Sequence, residues 1–220
     1  MQKFDTPAPI SAVLDIPAGR VRFIAADRAD TTVEVLPADA ANSRDVTVAE
    51  QTTVEYGGGV LRIEAPARNR ILGSPGSIEV TVQLPAGSRV EAKAASAEFR
   101  TVGRLGDVAF DGSQAWIKLD EAASVRLTTL DGDVSVGRLG GAAQIRTAKG
   151  DIRIAEAVRG TVVLRTEAGS ISVDAAAGVS ASLDAGTTHG RIHNALKNTG
   201  AADLTIHATT AYGDITARSL

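Results

Sequence analysis

The stretch VRLTTLDGDVSVGRL (Val125–Leu139) is followed closely by QIRTAKGDIRIAEAVRG (Gln144–Gly160), and both have the same layout. In each, a short segment of alternating apolar and polar residues leads to a corner that contains glycine and aspartate, and a second alternating segment follows. A two-residue period over so few positions is typical of short β-strands and leaves no room for an amphipathic helix. The two stretches therefore predict a repeating unit of two strands joined at a tight corner.

The unit recurs six times in the second half of the chain. Each copy has an apolar anchor two residues after a small residue, which is alanine in the first copy and glycine in the other five. Successive anchors are 17, 18, 19, 21 and 23 residues apart. A second apolar column precedes the anchors by seven residues in four copies and by nine in the last two, which predicts a corner that lengthens by two residues. The anchors are Ile117, Val134, Ile152, Ile171, Ile192 and Ile215, and the preceding column is Phe110, Leu127, Ile145, Leu164, Leu183 and Ile206.

Two topologies fit this repeat. In a β-solenoid, the coils stack about 4.8 Å apart and equivalent residues form continuous inward ladders. In an antiparallel β-sandwich, Asp131–Gly132 would be a hairpin turn. The same chemical type recurs at the same place in six copies, which favours stacking because an antiparallel sheet needs only alternation. We therefore expect an all-β fold, a β-solenoid with parallel β-helix-like coils of about 17 to 23 residues, with the antiparallel β-sandwich as the alternative.

Residues 1–88 follow the alternation less regularly. We expect them to be a β-rich N-terminal module that caps or begins the stack, with the solenoid repeats over residues 89–220, although the two could be one continuous domain. Pro17–Gly19 and Pro85–Gly87 share turn chemistry and predict a turn between two strands at each site. The segment Val46–Tyr56 has a strand-like pattern, and Ala65–Ser77 is the best candidate for a flexible loop.

The composition excludes several classes of function. The chain has no cysteine, which excludes disulfides, thiolate nucleophiles and cysteine zinc sites. A net charge of −3 and an aromatic content of only 3% are unsuited to a nucleic-acid interface. No run is apolar enough to cross a bilayer, and Met1–Arg20 lacks the apolar stretch of a signal peptide. We therefore expect a cytoplasmic protein, secreted or at the cell surface only if a leader has been removed, with no cofactor.

Three features together resemble a known family. These are an early PAGRVRFIAADRADTTVEV, a central LPAGSRVEAKAAS and the serial units GDV, GDI, GSI and GDI. They are similar to the bacterial putative-adhesin family of unknown function, whose members are β-strand-repeat proteins, and the resemblance covers most of the chain from Ile10 onward. It implies an adhesin-like β-solenoid and supplies no catalytic residues.

Aspartates follow the corner glycine in three copies, at Asp133, Asp151 and Asp214, and raise the question of calcium. Calcium takes six to eight oxygen ligands, and calcium-binding solenoids use a nine-residue repeat, about half the period found here. The column is also interrupted by Ser170 and Arg191. We therefore expect these aspartates to bond local backbone at turns, and we expect no metal site.

His189 and His193 have the spacing of a zinc pair. Four residues of a strand span about 13 Å, however, which is too far for two ligands of one ion. The neighbours expected on adjacent coils add no ligand; they are Tyr212 and Thr216 on one side and Ala168 and Ser172 on the other.

Motifs of nucleophilic catalysis and phosphate binding are absent from the sequence. A group of outward side chains could imitate the cluster of a polysaccharide-active β-helix enzyme. We favour a solvated face instead, with cross-coil ion pairs Arg165–Asp184 and Arg191–Asp214 worth about 0 to 1 kcal/mol each. The side chains of that group are Lys149, Arg153, Arg146, Arg165 and Asp184.

Trp116 is the residue that we single out for binding. It occupies the outward column, so we expect its ring to face away from the interior and to serve as a contact anchor. The alternative is that the N-terminal module covers it. Later copies carry Asp133, Asp151, Ser170, Arg191 and Asp214 in this column.

These observations predict a non-catalytic structural or interaction protein, an adhesin-like scaffold that binds a protein or glycan partner or another copy of itself. Leu220 lies five residues beyond the last anchor, Ile215, and no capping segment follows in the sequence. We therefore expect a homo-oligomer through the last coil, and neither nucleic acid nor a membrane span. The alternatives are a carbohydrate-active β-helix enzyme and a calcium-dependent adhesin module.

Overall fold

The computed structural model describes residues 1–66 and 76–220, so most of the predicted loop Ala65–Ser77 lies outside the described residues. The chain divides into two compact units, Met1–Ala115 and Trp116–Leu220. The first unit contains β1 (Gln2–Asp5), β2 (Ser11–Ala26), β3 (Asp30–Pro37), α1 (Ser43–Gln51), β4 (Thr53–Gly57), β5 (Val60–Glu64), β6 (Ile78–Pro85), β7 (Arg89–Val102) and the first part of β8 (Arg104–Thr128). The second contains the rest of β8, β9 (Val134–Leu139), β10 (Ala143–Arg146), β11 (Ile152–Ala157), β12 (Gly160–Ala168), β13 (Ile171–Ala175), β14 (Ala181–His189), β15 (Ile192–Ala195), β16 (Leu204–Tyr212) and β17 (Ile215–Ser219).

The second unit confirms the predicted β-solenoid. On one face, β9 pairs with β8 and with β11, and β11 pairs with β13. On the other face, β10 pairs with β8 and with β12. The anchors Ile117, Val134 and Ile152 are in register and at most 2% exposed. All strand pairings within this unit are parallel, so the antiparallel β-sandwich is wrong.

The coils of the second unit do not stack in chain order. Strands β16 and β17 pair with β12 and β13 on one side and with β14 and β15 on the other. The last coil in the sequence therefore lies inside the stack, and its anchor Ile215 is 1% exposed. The prediction that this coil forms the open end is wrong, because β14 and β15 occupy that place.

The corner does not lengthen in the last two coils. The sequence pattern aligned Leu164 with Ile206, but in the structure Leu164 lies opposite Ala208. From Ala208 to the anchor Ile215 is seven residues, as in the earlier coils. The predicted lengthening is wrong because alanine occupies the position that holds a larger apolar residue in the earlier coils.

In the first unit, β2 lies between β7 on one side and β5 and β6 on the other, and all these pairings are parallel. Strand β2 continues through Pro17–Gly19, where its partner changes from β5 to β6, so the turn predicted there is wrong. Gly19 has a φ of 152°, and a Cβ on it would lie 1.9 Å from the carbonyl oxygen of Ile78. The second site, Pro85–Gly87, forms the predicted turn between β6 and β7, with Gly87 at a φ of 80°.

Antiparallel strands cover the outer edges of β5 and β6, which form the end coil of the first unit. Strand β4 pairs with β5, β3 pairs with β6, and β1 pairs with β3. We call β1, β3 and β4 the cap; that residues 1–88 form a separate capping module stays a prediction. Because β2 pairs directly with β7, the parallel ladder crosses residues 88 and 89, and the domain boundary placed there stays a prediction.

The helix α1 corrects the strand expected over Val46–Tyr56. The side-chain oxygen of Asn42 accepts a hydrogen bond from the N–H of Arg44 at 3.0 Å and so begins the helix. Val48 is buried on its inner face, and the strand β4 begins only at Thr53. Among the residues that the structure describes, no helix has the length and apolar character to span a membrane.

Candidate functional site

A column of glycines lets the corners of the second unit approach closely. A Cβ on Gly169 would lie 2.0 Å from the carbonyl oxygen of Gly150, and one on Gly213 would lie 2.0 Å from that of Gly169. No side chain fits at such distances, so glycine is required wherever one corner stacks on the next. In stacking order the column is Gly132, Gly150, Gly169, Gly213 and Gly190.

Threonines line the inner side of the same corners and bond from one coil to the next. The hydroxyl of Thr166 donates to the carbonyl of Gly150 at 3.1 Å, and that of Thr210 donates to Gly169 at 2.9 Å. Thr187 donates to Gly213 at 3.0 Å, again across the corrected stacking order. The threonine hydroxyls therefore hold neighbouring corners together.

The corner aspartates also bond between coils. The Oδ1 atom of Asp133 accepts from the N–H of Asp151 at 2.8 Å, and Oδ1 of Asp151 accepts from Ser170 at 2.7 Å. Oδ1 of Asp214 accepts from the N–H of Arg191 at 2.9 Å. The expectation that these side chains bond local backbone is wrong, because their partners lie 18 to 23 residues away. Residues 1–66 and 76–220 contain no group of three or more His, Asp or Glu side chains placed to hold a metal ion.

Trp116 begins the outward column, as predicted, and is 60% exposed. The register places it beside Asp133 on the neighbouring coil. Its indole cannot accept the hydrogen bond that an aspartate accepts at this position in later coils. Its role as a contact anchor stays a prediction.

The end coil of the second unit consists of β14, β15 and the corner between them. Each strand pairs on one side only, and within Trp116–Leu220 no strand pairs with the outer edge of either. Ile192 is 47% exposed, whereas the anchors of the coils beneath it are 1 to 2% exposed. The end coil therefore presents backbone hydrogen-bonding groups and apolar surface that the interior coils bury.

The end coil is fixed to its neighbour by side chains. The ring of His189 stacks on Tyr212, with centroids 4.8 Å apart and planes 13° apart. Nδ1 of His207 lies 3.2 Å from Oδ2 of Asp184. The predicted pair of His189 and His193 is divided by the corner, because β14 ends at His189 and β15 begins at Ile192.

One of the two predicted ion pairs is confirmed. Nη2 of Arg191 lies 2.8 Å from Oδ2 of Asp214, and the hydrogen bond from this guanidinium lowers the pKa of the Asp214 carboxyl. The pair Arg165–Asp184 is wrong, because β16 lies between their strands and places His207 beside Asp184. Sequence reasoning missed the pair of Arg218 with buried Asp174, which holds β17 against β13 through two hydrogen bonds of 2.8 and 2.9 Å.

Three exposed arginines lie on the face formed by β8, β10 and β12, and we call this the arginine face. Arg146 lies directly opposite Arg165. Arg126 lies one coil before Arg146 and two residues away in register, because it pairs with Gln144. Among the residues of the described chain, none of the three forms an ion pair. Sequence reasoning missed Arg126, although its alternation with Val125 and Leu127 marks it as outward.

The structure does not bring the suggested catalytic group together. Arg146 and Arg165 adjoin, but Arg153 lies on β11, on the other face of the coil. Asp184 lies on the end coil, two coils from Arg165, with β16 between their strands. The arrangement is a row of cations on a flat sheet rather than an acid beside a base.

A family model described as Toastrack DUF4097 matches residues 13–219. The sequence has no significant match among curated proteins. A putative adhesin from Bacteroides fragilis is similar in structure, with a TM-score of 0.58, 11% identity and coverage of 98% of this chain and 95% of that one. At this identity the likeness shows the fold alone.

Two further structures align over the same length with lower scores. A putative cell adhesion protein from Clostridium sporogenes has a TM-score of 0.43 and 11% identity, covering 100% of this chain and 98% of that one. A putative lipid binding protein from Parabacteroides distasonis has a TM-score of 0.39 and 12% identity, covering 98% and 95%.

Proposed function

The chain belongs to the Toastrack DUF4097 family, and from that premise we propose that it is a non-catalytic, adhesin-like interaction protein that pairs with a second copy of itself through the end coil. The name of the similar Bacteroides fragilis protein supports the adhesin-like role at a coarse level. The observation that carries the proposal is the uncovered edge of β14 and β15.

An uncovered edge offers a row of backbone donors and acceptors to another strand. The β14 strand is nine residues long and contains no proline. Its first N–H, that of Ala181, donates to the carbonyl of Lys197 at 2.9 Å, and the edge beyond Ala181 is the part that can pair. Ile192 adds apolar surface that a covering coil would remove from water. These features favour a strand as the occupant.

A second copy is the occupant that we propose because it offers the same edge. The end coil of the first unit is already paired with the cap, so it does not offer an equivalent free edge. Two end coils related by a two-fold axis can pair antiparallel, β14 with β14 and β15 with β15. Such an interface is isologous and closes at a dimer.

Sedimentation velocity across a range of protein concentrations tests the proposal. We expect a concentration-dependent dimer in the wild type and a monomer in Ile192→Lys, because the new ammonium would have to be buried between the two end coils. His193→Lys is the matched control: it adds the same group one residue further on, at the outward position of the same strand. A wild type that stays monomeric at every concentration contradicts the proposal, as does an equal effect of the two variants.

A further inference from the structure

We propose that the arginine face binds an anionic polysaccharide through its carboxylate or sulfate groups. The inference rests on the proposed function in taking the chain as an interaction protein, and it assigns a partner chemistry to a surface that is separate from the end coil.

The charges of the arginine face are unbalanced within the second unit. Arg146 and Arg165 lie directly opposite each other on neighbouring strands, about 4.8 Å apart. Like charges in this position destabilise a sheet. Three other arginines of the unit form ion pairs, among them Arg191 with Asp214 and Arg218 with Asp174. A bound anion would reduce the electrostatic repulsion between Arg146 and Arg165.

The spacing of the three arginines indicates a ligand with several anionic groups. Arg126 and Arg146 are diagonal neighbours on adjacent strands, about 7 to 8 Å apart. A single carboxylate cannot make paired hydrogen bonds with all three guanidinium groups, whereas an extended chain with repeated anions can. Each guanidinium presents a planar fork that matches a carboxylate or sulfate.

The neighbouring side chains suit a sugar chain better than a membrane or a nucleic acid. Exposed Thr128, Thr161 and Thr209 and half-buried Gln144 supply hydroxyl and amide groups around the arginines. A membrane surface site places large apolar side chains among its basic residues, whereas here the exposed Leu130 and Tyr212 lie at the border, at the corners after β8 and β16. Single-stranded nucleic acid is held by aromatic platforms. The strands β10 and β12 and residues 125–128 of β8 contain no aromatic residue, and the ring of Tyr212 at the border is stacked on His189.

The acidic side chains nearby are few and lie towards the margins. Glu167 is two residues beyond Arg165 on β12, close to the corner, and Asp184 lies beside His207 on the end coil. The face is therefore positive around Arg126, Arg146 and Arg165, although the chain as a whole carries a net charge of −3. A local cationic row on an acidic protein favours selective capture of an anion over general polyanion binding.

Isothermal titration with two anionic polymers tests this inference: polygalacturonate, which carries carboxylates, and dextran sulfate. Neutral dextran is the reference polymer. We expect the wild-type chain to bind at least one anionic polymer at low salt and not to bind dextran, with affinity falling as salt rises. The double variant R146Q/R165Q should bind at least about tenfold more weakly, because it loses two charge-assisted contacts.

The matched control is K118Q/R153Q, which removes the same amount of charge from exposed positions on the opposite face of the same unit. We expect its affinity to stay within about twofold of the wild type. Equal weakening by the two double variants overturns the inference, since binding would then depend on net charge alone. No binding of the wild type to either anionic polymer overturns it as well.

Vesicles of phosphatidylcholine with phosphatidylglycerol separate a membrane from a glycan. Tighter binding to these vesicles than to both polymers overturns the inference in favour of a lipid surface. The outcome is independent of self-association, because R146Q/R165Q leaves the end coil unchanged and should sediment as the wild type does. A chain that dimerises but binds no anionic polymer keeps the proposed function and loses only this inference.

Discussion

The end coils of the two units differ in whether their outer backbone groups are paired. In the first unit, β3 and β4 pair with β6 and β5 and satisfy their outer backbone groups. In the second unit, β14 and β15 have a strand on one side only. The residues that belong to inward columns follow this difference: Ile63 on β5 is 0% exposed, and Ile192 on β15 is 47% exposed. Ile63 is buried because β4 pairs with its strand, whereas Ile192 is exposed because no strand covers the outer edge of β15.

The second unit also allows the effect of a residue's position in the stack to be distinguished from that of its type. Ile215 and Ile192 are the same residue type in the same column on adjacent coils, yet Ile215 lies inside the stack and Ile192 at its end. Gly213 lies at a stacked corner, whereas Gly186 lies within β14 opposite Thr209. Identical substitutions at the two places should therefore have different effects.

The largest difference is expected for alanine at the glycines. Gly213→Ala places a Cβ 2.0 Å from the carbonyl oxygen of Gly169, at a φ of 149°. Steric overlap and backbone strain together should lower the free energy of unfolding by about 3 kcal/mol or more. Gly186→Ala on β14 meets no atom within 4 Å, and it should leave the free energy within about 1 kcal/mol of the wild type.

Urea unfolding followed by circular dichroism measures both glycine variants. If Gly213→Ala does not accumulate in folded form, Gly150→Ala, with a Cβ at 2.2 Å from Gly132 O, repeats the measurement two coils further inside. Similar midpoints for Gly213→Ala and Gly186→Ala would show that the corners do not stack as described.

The next difference is expected at the anchor isoleucines. Ile215→Ala removes a side chain that is 1% exposed and leaves a cavity, which should cost about 2 to 5 kcal/mol. Ile192→Ala removes one that is 47% exposed and should cost less than about 1 kcal/mol. The same unfolding experiment compares them at low protein concentration, where the proposed dimer would dissociate. An equal cost at both positions would mean that β14 and β15 are covered in the folded chain.

The smallest effect concerns the cap and its dependence on pH. Hydrogen bonds from Arg28 and Lys3 lower the pKa of Asp30 from 3.8 to about 2. Because the folded-state pKa is lowered, the carboxylate stabilises the cap above pH 4, and this contribution is lost as the pH falls from about 4 to about 2. Asp30→Asn should therefore make the loss of stability over this interval shallower.

Thermal unfolding at a series of pH values between 2 and 5 checks the Asp30 variant. Lys3→Ala removes one of the two donors across the β1–β3 pair and should give an intermediate slope. A slope identical to that of the wild type in Asp30→Asn would show that this carboxyl does not link the cap to pH.

The sequence predicted the inward columns of the second unit better than the order in which its coils stack. Gly132 and Val134 recur because every stacked corner imposes the same steric limits, so their columns are visible in the sequence. Coils with the same columns can exchange places without changing the local pattern, and the position of β16 and β17 was therefore missed. Asn194 could have indicated which coil lies at the end. It is a polar residue in a column that holds Leu119 and Val136 in other coils, and such a residue is tolerated where no further coil covers it.

The arginine face was only half predicted for a similar reason. Periodicity indicates that Arg146 and Arg165 point outward, but whether an outward charge is paired depends on which strand lies next to it. With the coils in chain order, Asp184 would adjoin Arg165. In the structure, β16 lies between β12 and β14 and separates the two side chains. Pairing across coils is set by topology, which alternation does not encode.

The insertion of β16 and β17 also imposes an order in time on synthesis. The ribosome makes residues 181–195 before residues 204–219, yet β14 and β15 have their native neighbours only in that later segment. Until residues 204–219 are made, the edges of β12 and β13 are unpaired, and β14 and β15 could pair with them instead. The strands β16 and β17 would then have to displace β14 and β15 from those edges. The native arrangement of these coils can therefore form only after residues 204–219 have been made, and a nascent chain stopped before Leu204 lacks the strands on which β14 and β15 pack.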